Sequence, residues 1–182
     1  LYGFGGNATL DPERSQSYEA SLRHDTAGGQ RYSLTLFRNE IDDLIQFVII
    51  DFTTFEGENR NVERARIDGL EAAWRYDGER WAARASATLQ DPRDRITNAR
   101  LLRRAQENVS LAFLRRLGAH EIAVDLLYAG DRKDFGFPAP VTMPAYWITN
   151  LSAQVVVNER WTLLARMENL LDEDYELARG FN

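Results

Sequence analysis

Apolar residues recur at every second position within short stretches of this chain, and eight such stretches follow one another. A strand sends alternate side chains to opposite faces, so this period predicts β-strands with one apolar and one polar face. Tyr18, Ala20 and Leu22 oppose Glu19, Ser21 and Arg23 in the first stretch, and Tyr32, Leu34 and Leu36 oppose Ser33 and Thr35 in the second. Leu70, Ala72, Trp74 and Tyr76 define the third, while Trp81, Ala83, Ala85, Ala87 and Leu89 define the fourth. Val109, Leu111 and Phe113 serve the fifth, and Ile122, Val124, Leu126 and Tyr128 the sixth. The seventh carries Trp147, Leu151, Ala153, Val155 and Val157, and the eighth Trp161, Leu163, Ala165 and Met167. Each apolar face covers about nine to eleven residues, enough for a tilted strand to cross a bilayer.

The links between stretches alternate in length. Tight ones cover residues 26–30, 77–80, 117–120 and 158–160, and long polar ones cover 1–14, 48–61, 91–104, 130–145 and the tail from Asp172. A meander with short turns at one end and long loops at the other is the plan of an outer-membrane barrel. The aromatic residues fit it. Tyr32, Tyr76, Trp81, Phe113 and Trp161 gather near the short turns, and Tyr18, Tyr128 and Trp147 near the long loops, as two interfacial girdles around an aliphatic band. A soluble sandwich or lipocalin-like barrel predicts core aromatics scattered along the strands instead. The opposite faces carry Glu71, Arg75, Arg84, Asp125, Arg166 and Glu168, too many charges for a dry core but suited to a wet or polar-filled lumen.

Composition narrows the field. The 182 residues suit one domain, and no stretch approaches the ~18 apolar residues of a membrane helix. A formal charge of -6 gives no support for a nucleic-acid partner. There is no cysteine, so disulfides and thiolate chemistry drop out. His24 and His120 flank short turns without an accompanying serine or acid motif, so no catalytic residue and no enzyme activity is expected. The 21 arginines against the single Lys133 fit either lipopolysaccharide binding or coding bias. Gly3, Gly5 and Gly6 read as turn residues. The chain opens on Leu1 without a signal sequence and ends at Asn182 in an outward loop, so it is expected to be an internal piece of a longer exported protein.

Several motifs resemble those of TonB-dependent outer-membrane receptors. In the opening segment Asn7, Leu10, Pro12, Glu13, Ser15, Tyr18 and Glu19 hold the positions of the family's NP-x-L-x-PE-x-S-x-x-YE pattern, with Ala8 replacing its proline. Residues 36–47 (LFRNEIDDLIQF) and 61–76 (NVERARIDGLEAAWRY) are similar to a strand-to-loop passage and its return strand. Residues 165–176 (ARMENLLDEDYE) resemble the N-L-F-D-x-x-Y-E signature before the last strand, with Leu171 in place of the aromatic. Residues 87–111 are similar to the D-x-R-x-x-x-T-x-x-x-LLRRA loop and strand of the family's cobalamin transporters, and the opening LYG fits them too.

The resemblance implies an all-β fold: an antiparallel up-and-down transmembrane β-barrel segment, about eight strands of a barrel of about 22. Residues 1–182 would be its C-terminal part, with the plug domain, the early strands and the last strand outside this chain. The implied function is TonB-dependent uptake of cobalamin or a related corrinoid across the bacterial outer membrane. A ferric siderophore receptor and a non-transporting barrel module are the alternatives. Implied partners are cobalamin or a related metal chelate, the TonB complex acting through the plug, and outer-membrane lipid.

No cofactor and no metal site carry over. Arg103, first arginine of the LLRR run, is the implied ligand contact, and its bland counterpart is a rim arginine paired with Asp91 or Asp94. Phe135 and Phe137, in the long loop 130–145, are candidates to stack on a macrocycle. Asp42, Asp43 and Asp51 form an acidic group that reads either as a cation site or as a solvated loop, and Asp172, Glu173 and Asp174 read the same way.

Overall fold

The computed structural model describes residues 4–5, 7–51, 53–54 and 56–180. The opening LYG, Gly6 and the last two residues lie outside the described residues. The strands are β1 (Phe4–Gly5), β2 (Arg14–Asp25), β3 (Gln30–Asp51), β4 (Glu56–Asp77), β5 (Trp81–Asp94), β6 (Glu107–Leu117), β7 (His120–Ala129), β8 (Arg132–Asp134), β9 (Val141–Met143), β10 (Tyr146–Asn158) and β11 (Trp161–Met167).

The eight amphipathic stretches become eight long antiparallel strands of one meandering sheet, in the order β11-β10-β7-β6-β5-β4-β3-β2. Register decides what such a sheet presents, because a slip of one residue would move a strand's apolar set to the other face. Here every strand is in phase. Leu22 faces Leu34, Leu34 faces Ala72, Ala72 faces Ala87, Ala87 faces Val109, Val109 faces Tyr128, and Tyr128 faces Trp147. The neighbouring row on the other face runs Ser21, Thr35, Glu71, Thr88, Asn108, with the Ser21 and Thr35 hydroxyls 2.9 Å apart. One side is therefore continuously greasy, while the other mixes polar and charged side chains with a few apolar ones such as Leu114, Leu127 and Leu164.

Nothing within the described residues covers the greasy side. Among the described residues the buried apolar side chains are Ala65, Ala82, Pro92, Leu101, Met143 and Ile148, whereas Leu22 is 71% and Leu163 60% exposed. A sheet face in water needs a second layer, and this sheet has none. Tyr76, Trp81 and Phe113 form a row near the short turns, with ring centroids 4.0 Å and 6.1 Å apart along it, and Tyr128 lies 4.7 Å from Trp147 toward the long loops. Above the Leu36–Leu70–Leu89 row the same face turns charged: Arg38 Nε meets Asp68 Oδ1 at 2.5 Å, and Arg93 meets Asp91 at 2.7 Å. The apolar band is bounded at both ends.

Two expectations fail. Gly5, read as a turn residue, lies in strand β1. Residues 48–61 were expected to form a long loop, but β3 and β4 each run 22 residues and stay paired as far as Asp51 opposite Glu56. At ~3.3 Å per residue each strand is on the order of 70 Å long, well over the ~30 Å of a hydrocarbon core. The ladder continues into water because backbone pairing needs no apolar face there. The opening segment braces this tall hairpin. β1 adds parallel to β4 at Gly57 and Glu58. The Asn61 amide donates to the Asp11 and Asp43 carbonyls (2.9 and 2.7 Å) and accepts the Asp11 N–H (2.8 Å). Register slips between Ile41 and Leu44, where Asp43 takes φ 59°, and the Glu13 carboxylate accepts the Ile45 N–H at 2.7 Å. Glu13 and Asn61, both motif residues, thus hold the bulged hairpin to the preceding chain.

Gly69 is another motif residue with a steric task. Phe37 lies opposite it on the polar face, and a Cβ at residue 69 would come within 2.2 Å of the Phe37 ring and 2.9 Å of the Leu89 carbonyl oxygen. Since backbone as well as side chain would have to move, Gly69→Ala is expected to cost about 1–3 kcal/mol in the complete barrel. Urea unfolding in lipid vesicles measures this, and an unshifted midpoint would show that the ring has room.

Candidate functional site

Three segments meet beyond the long-loop end of the sheet: residues 95–106 between β5 and β6, the β8–β9 hairpin, and the tail after β11. Each is shaped locally first. Asp94 closes a turn, its Oδ1 accepting the Ile96 N–H at 2.7 Å and its Oδ2 the Thr97 hydroxyl at 2.6 Å. Burial alone would raise the pKa of Asp94, but these bonds outweigh it and hold the carboxyl below its usual range. Leu101 then tucks in, its N–H bonded to the Pro92 carbonyl at 3.0 Å. In the tail, Asn169 makes the turn of the N-L signature: its amide bonds the Glu173 N–H and carbonyl, both at 2.9 Å.

Asp134 joins the three segments. It is 1% exposed and opposite Val141 in the hairpin. Its Oδ1 accepts Arg103 Nε at 2.8 Å and the Phe135 N–H at 2.7 Å, and its Oδ2 accepts the Arg179 N–H at 2.7 Å. Burial pushes its pKa up, yet the donors from Arg179, Arg103 and Phe135 win, so the carboxyl sits below the ordinary aspartate value. Arg132, also buried, donates to the Glu176 and Leu177 carbonyls and lies 5.3 Å over the Tyr146 ring, which stacks on Tyr175 at 4.8 Å. Hairpin and tail are thereby tied at two points. Loop 95–106 is tied by the Arg103 N–H to the Lys133 carbonyl (2.7 Å) and by Arg100 to Asp131 (3.2 Å).

Of the residues singled out from sequence, Arg103 and Phe135 come together, the guanidinium lying 5.1 Å over the ring. Phe137 stands 79% exposed on the same loop. The acid that meets Arg103 is neither Asp91, which pairs with Arg93, nor Asp94, which closes its own turn; it is Asp134. The cation-site alternative finds no support among the described residues, where no group of acidic or histidine side chains gathers around a common point. Asp42 lies 3.4 Å from Arg64, and Asp51 caps the Thr53 and Thr54 N–H groups.

Sequence reasoning passed over Asp134, Arg132 and Tyr146, and met Tyr175 only as the tyrosine of the N-L-F-D-x-x-Y-E signature. The only trace was the alternating Arg132-Lys133-Asp134 run, in which period two puts Arg132 and Asp134 on one side. Below these loops, on the polar face, a groove of about 470 Å³ is lined by Thr88, Asn108, Asn150 and Glu168 with Tyr146 and Tyr175. Leu127, Ala129, Ile148 and Leu177 line it as well, so hydroxyl and amide groups stand beside apolar and aromatic surface there.

Comparison with known proteins follows the same lines. A family model described as "TonB dependent receptor-like, beta-barrel" matches residues 1–170. The vitamin B12 transporter BtuB of Vibrio vulnificus (strain YJ016) is 35% identical over 181 residues, covering 96% of this chain and 28% of that protein. Among solved structures, the pyoverdine outer membrane receptor FpvA of Pseudomonas aeruginosa PAO1 superposes with a TM-score of 0.76 at 18% identity, over 99% of this chain and 28% of that one. The ferric-catecholate import receptor Fiu of E. coli K12 does so with a TM-score of 0.74 at 16% identity, over 98% and 26%. These structural likenesses speak to the fold. The chain spans roughly a quarter of the length of the relatives it matches.

The Asp134 knot has a pH signature. A carboxyl whose folded pKa is depressed adds stability above its unfolded pKa and loses it as pH falls through the folded one. The contact among the three segments is therefore expected to hold at neutral and mildly acidic pH and to loosen only below the ordinary aspartate value of 3.8. Hydrogen exchange of residues 172–180 at stepped pH measures it; loosening already near pH 6 would contradict the assignment.

Proposed function

This chain belongs to the TonB-dependent receptor β-barrel family, and on that premise we propose that it forms part of an outer-membrane receptor for cobalamin or a closely related corrinoid. Its sheet is part of a bacterial outer-membrane barrel, with the apolar side toward lipid and the polar side toward the lumen. The 35% identity to a protein described as a vitamin B12 transporter supports the cargo. The observation that carries the reading is Arg103: the arginine of the LLRR run stands at the loop end with its guanidinium backed by Phe135 and roughly half exposed. A forked donor so placed suits the amide and phosphate oxygens of a corrinoid, and Phe135 and Phe137 supply flat apolar surface for the macrocycle.

In this reading the remaining polypeptide completes the ring of about 22 strands, β2 and β11 pairing with their neighbours so that no edge stays open. It also contributes a plug inside the lumen, through which an inner-membrane TonB complex supplies the energy for release inward. Residues 1–182 are then the late strands, short of the last. The role of the chain is transport and not chemistry: it binds, orients and encloses.

Titration of the complete receptor with cyanocobalamin tests the cargo. Arg103→Ala is expected to weaken binding about tenfold or more, the order expected for a charge-assisted bond. Saturable binding of a ferric siderophore with none of cyanocobalamin would transfer the site to the chelate class. Unchanged cyanocobalamin affinity in the variant would remove Arg103 from the site.

A further inference from the structure

We infer that Asp134 is a positioning residue that presets Arg103 for its ligand; this rests on the cargo-binding role of Arg103 proposed above. The guanidinium of Arg103 has three constraints. Its Nε is held by Asp134 Oδ1 at 2.8 Å, its face lies over Phe135 at 5.1 Å, and its backbone, at φ 58°, is pinned by the N–H bond to the Lys133 carbonyl. The two Nη groups make no hydrogen bond to the described residues, and the side chain is 48% exposed. One edge of the fork is thus spent on a buried acid and the other is left facing out, ready for a pair of ligand oxygens.

The arrangement is asymmetric in a telling way. Asp134 is almost wholly buried and its oxygens are filled by three donors, so it cannot itself reach a ligand. Its influence on binding must pass through the groups it holds. An arginine on an otherwise unrestrained loop would lose rotamer freedom on binding, and one fixed beforehand loses little. The same carboxylate takes the Arg179 N–H, so Arg103 is set only when the tail is also in place. Asp134 therefore makes ligand readiness depend on the order of three loops at once.

The test is a double-mutant cycle in the complete receptor with cyanocobalamin as the probe. Asp134→Asn is expected to weaken binding about tenfold in the wild-type background and hardly at all in the Arg103→Ala background, because the effect travels through that side chain. An equal penalty in both backgrounds would make Asp134 merely structural and overturn the inference while leaving the cargo intact. Arg103→Lys guards against a misfolded Asp134 variant: it keeps the charge but not the fork, and wild-type affinity there would also overturn the inference. A ligand-free readout separates the two layers. In nitrogen-15 relaxation the Arg103 Nε–H should be ordered in the wild type and mobile in Asp134→Asn. If the receptor does not bind cyanocobalamin, the cargo reading falls, and equal Nε mobility in both proteins would overturn the positioning role on its own.

Discussion

A single sheet with one greasy face and nothing to cover it is the condition on which the rest of this structure depends. Backbone pairing satisfies the amides and carbonyls of the six inner strands and one side of the edge strands β2 and β11, but it does nothing for Leu22, Leu36, Leu163 or Val157, which stand out from the surface. In water such a face is a cost of the hydrophobic effect with no compensation. Hydrocarbon removes the cost, and it does so without a second layer of protein. The polar face then turns toward a lumen, where Glu71, Arg75 and Asp125 keep water or polar protein as neighbours.

That condition also explains where the chain is free to vary. Inside the band, alternation is enforced residue by residue, because a polar side chain turned outward is expensive in lipid. Beyond the Arg38–Asp68 and Asp91–Arg93 pairs, the strands of the tall hairpin no longer need alternation and keep only their ladder. There the chain relies on local devices: the bulge at Asp43, the Asn61 clamp and the Asp94 turn. At the loop end, long-range side-chain bonds take over, and Asp134 gathers segments 31 and 45 residues apart in sequence into one rigid patch. The paired wall and the side-chain bonds among the loops are separate achievements of the same chain.

The wall was legible because its signal repeats. Leu34 against Ser33, Ala72 against Glu71 and Ala153 against Ser152 each state the same alternation, and the tight turns at 26–30 and 158–160 fix the phase between strands. The hairpin above the membrane was not legible, since Val48-Ile49-Ile50 is apolar without alternation and residues 56–61 carry no apolar side chain, so neither run has a period of two to read. Arg103 stands out in the sequence through its LLRR run, and the alternative reading pairs it with Asp91 or Asp94, the nearby acids, whereas the structure pairs it with Asp134. Asp134 lies 31 residues away and becomes adjacent only through the folding of two loops. A charged run such as Arg132-Lys133-Asp134 looks like a solvated loop until the tail closes over it.

The orientation of the sheet can be measured directly with single spin labels, since these 182 residues hold no native cysteine and any elsewhere in the receptor can be replaced by serine. A nitroxide scan of the complete receptor in lipid vesicles along residues 150–157 of β10 would compare collisions with oxygen, which partitions into lipid, and with a water-soluble nickel chelate. Labels at 151, 153, 155 and 157 should favour oxygen, while those at 150, 152 and 154 should favour the chelate or be shielded from both. Loss of the two-residue period, or its inversion, would contradict a wall whose tryptophan-bearing side meets hydrocarbon.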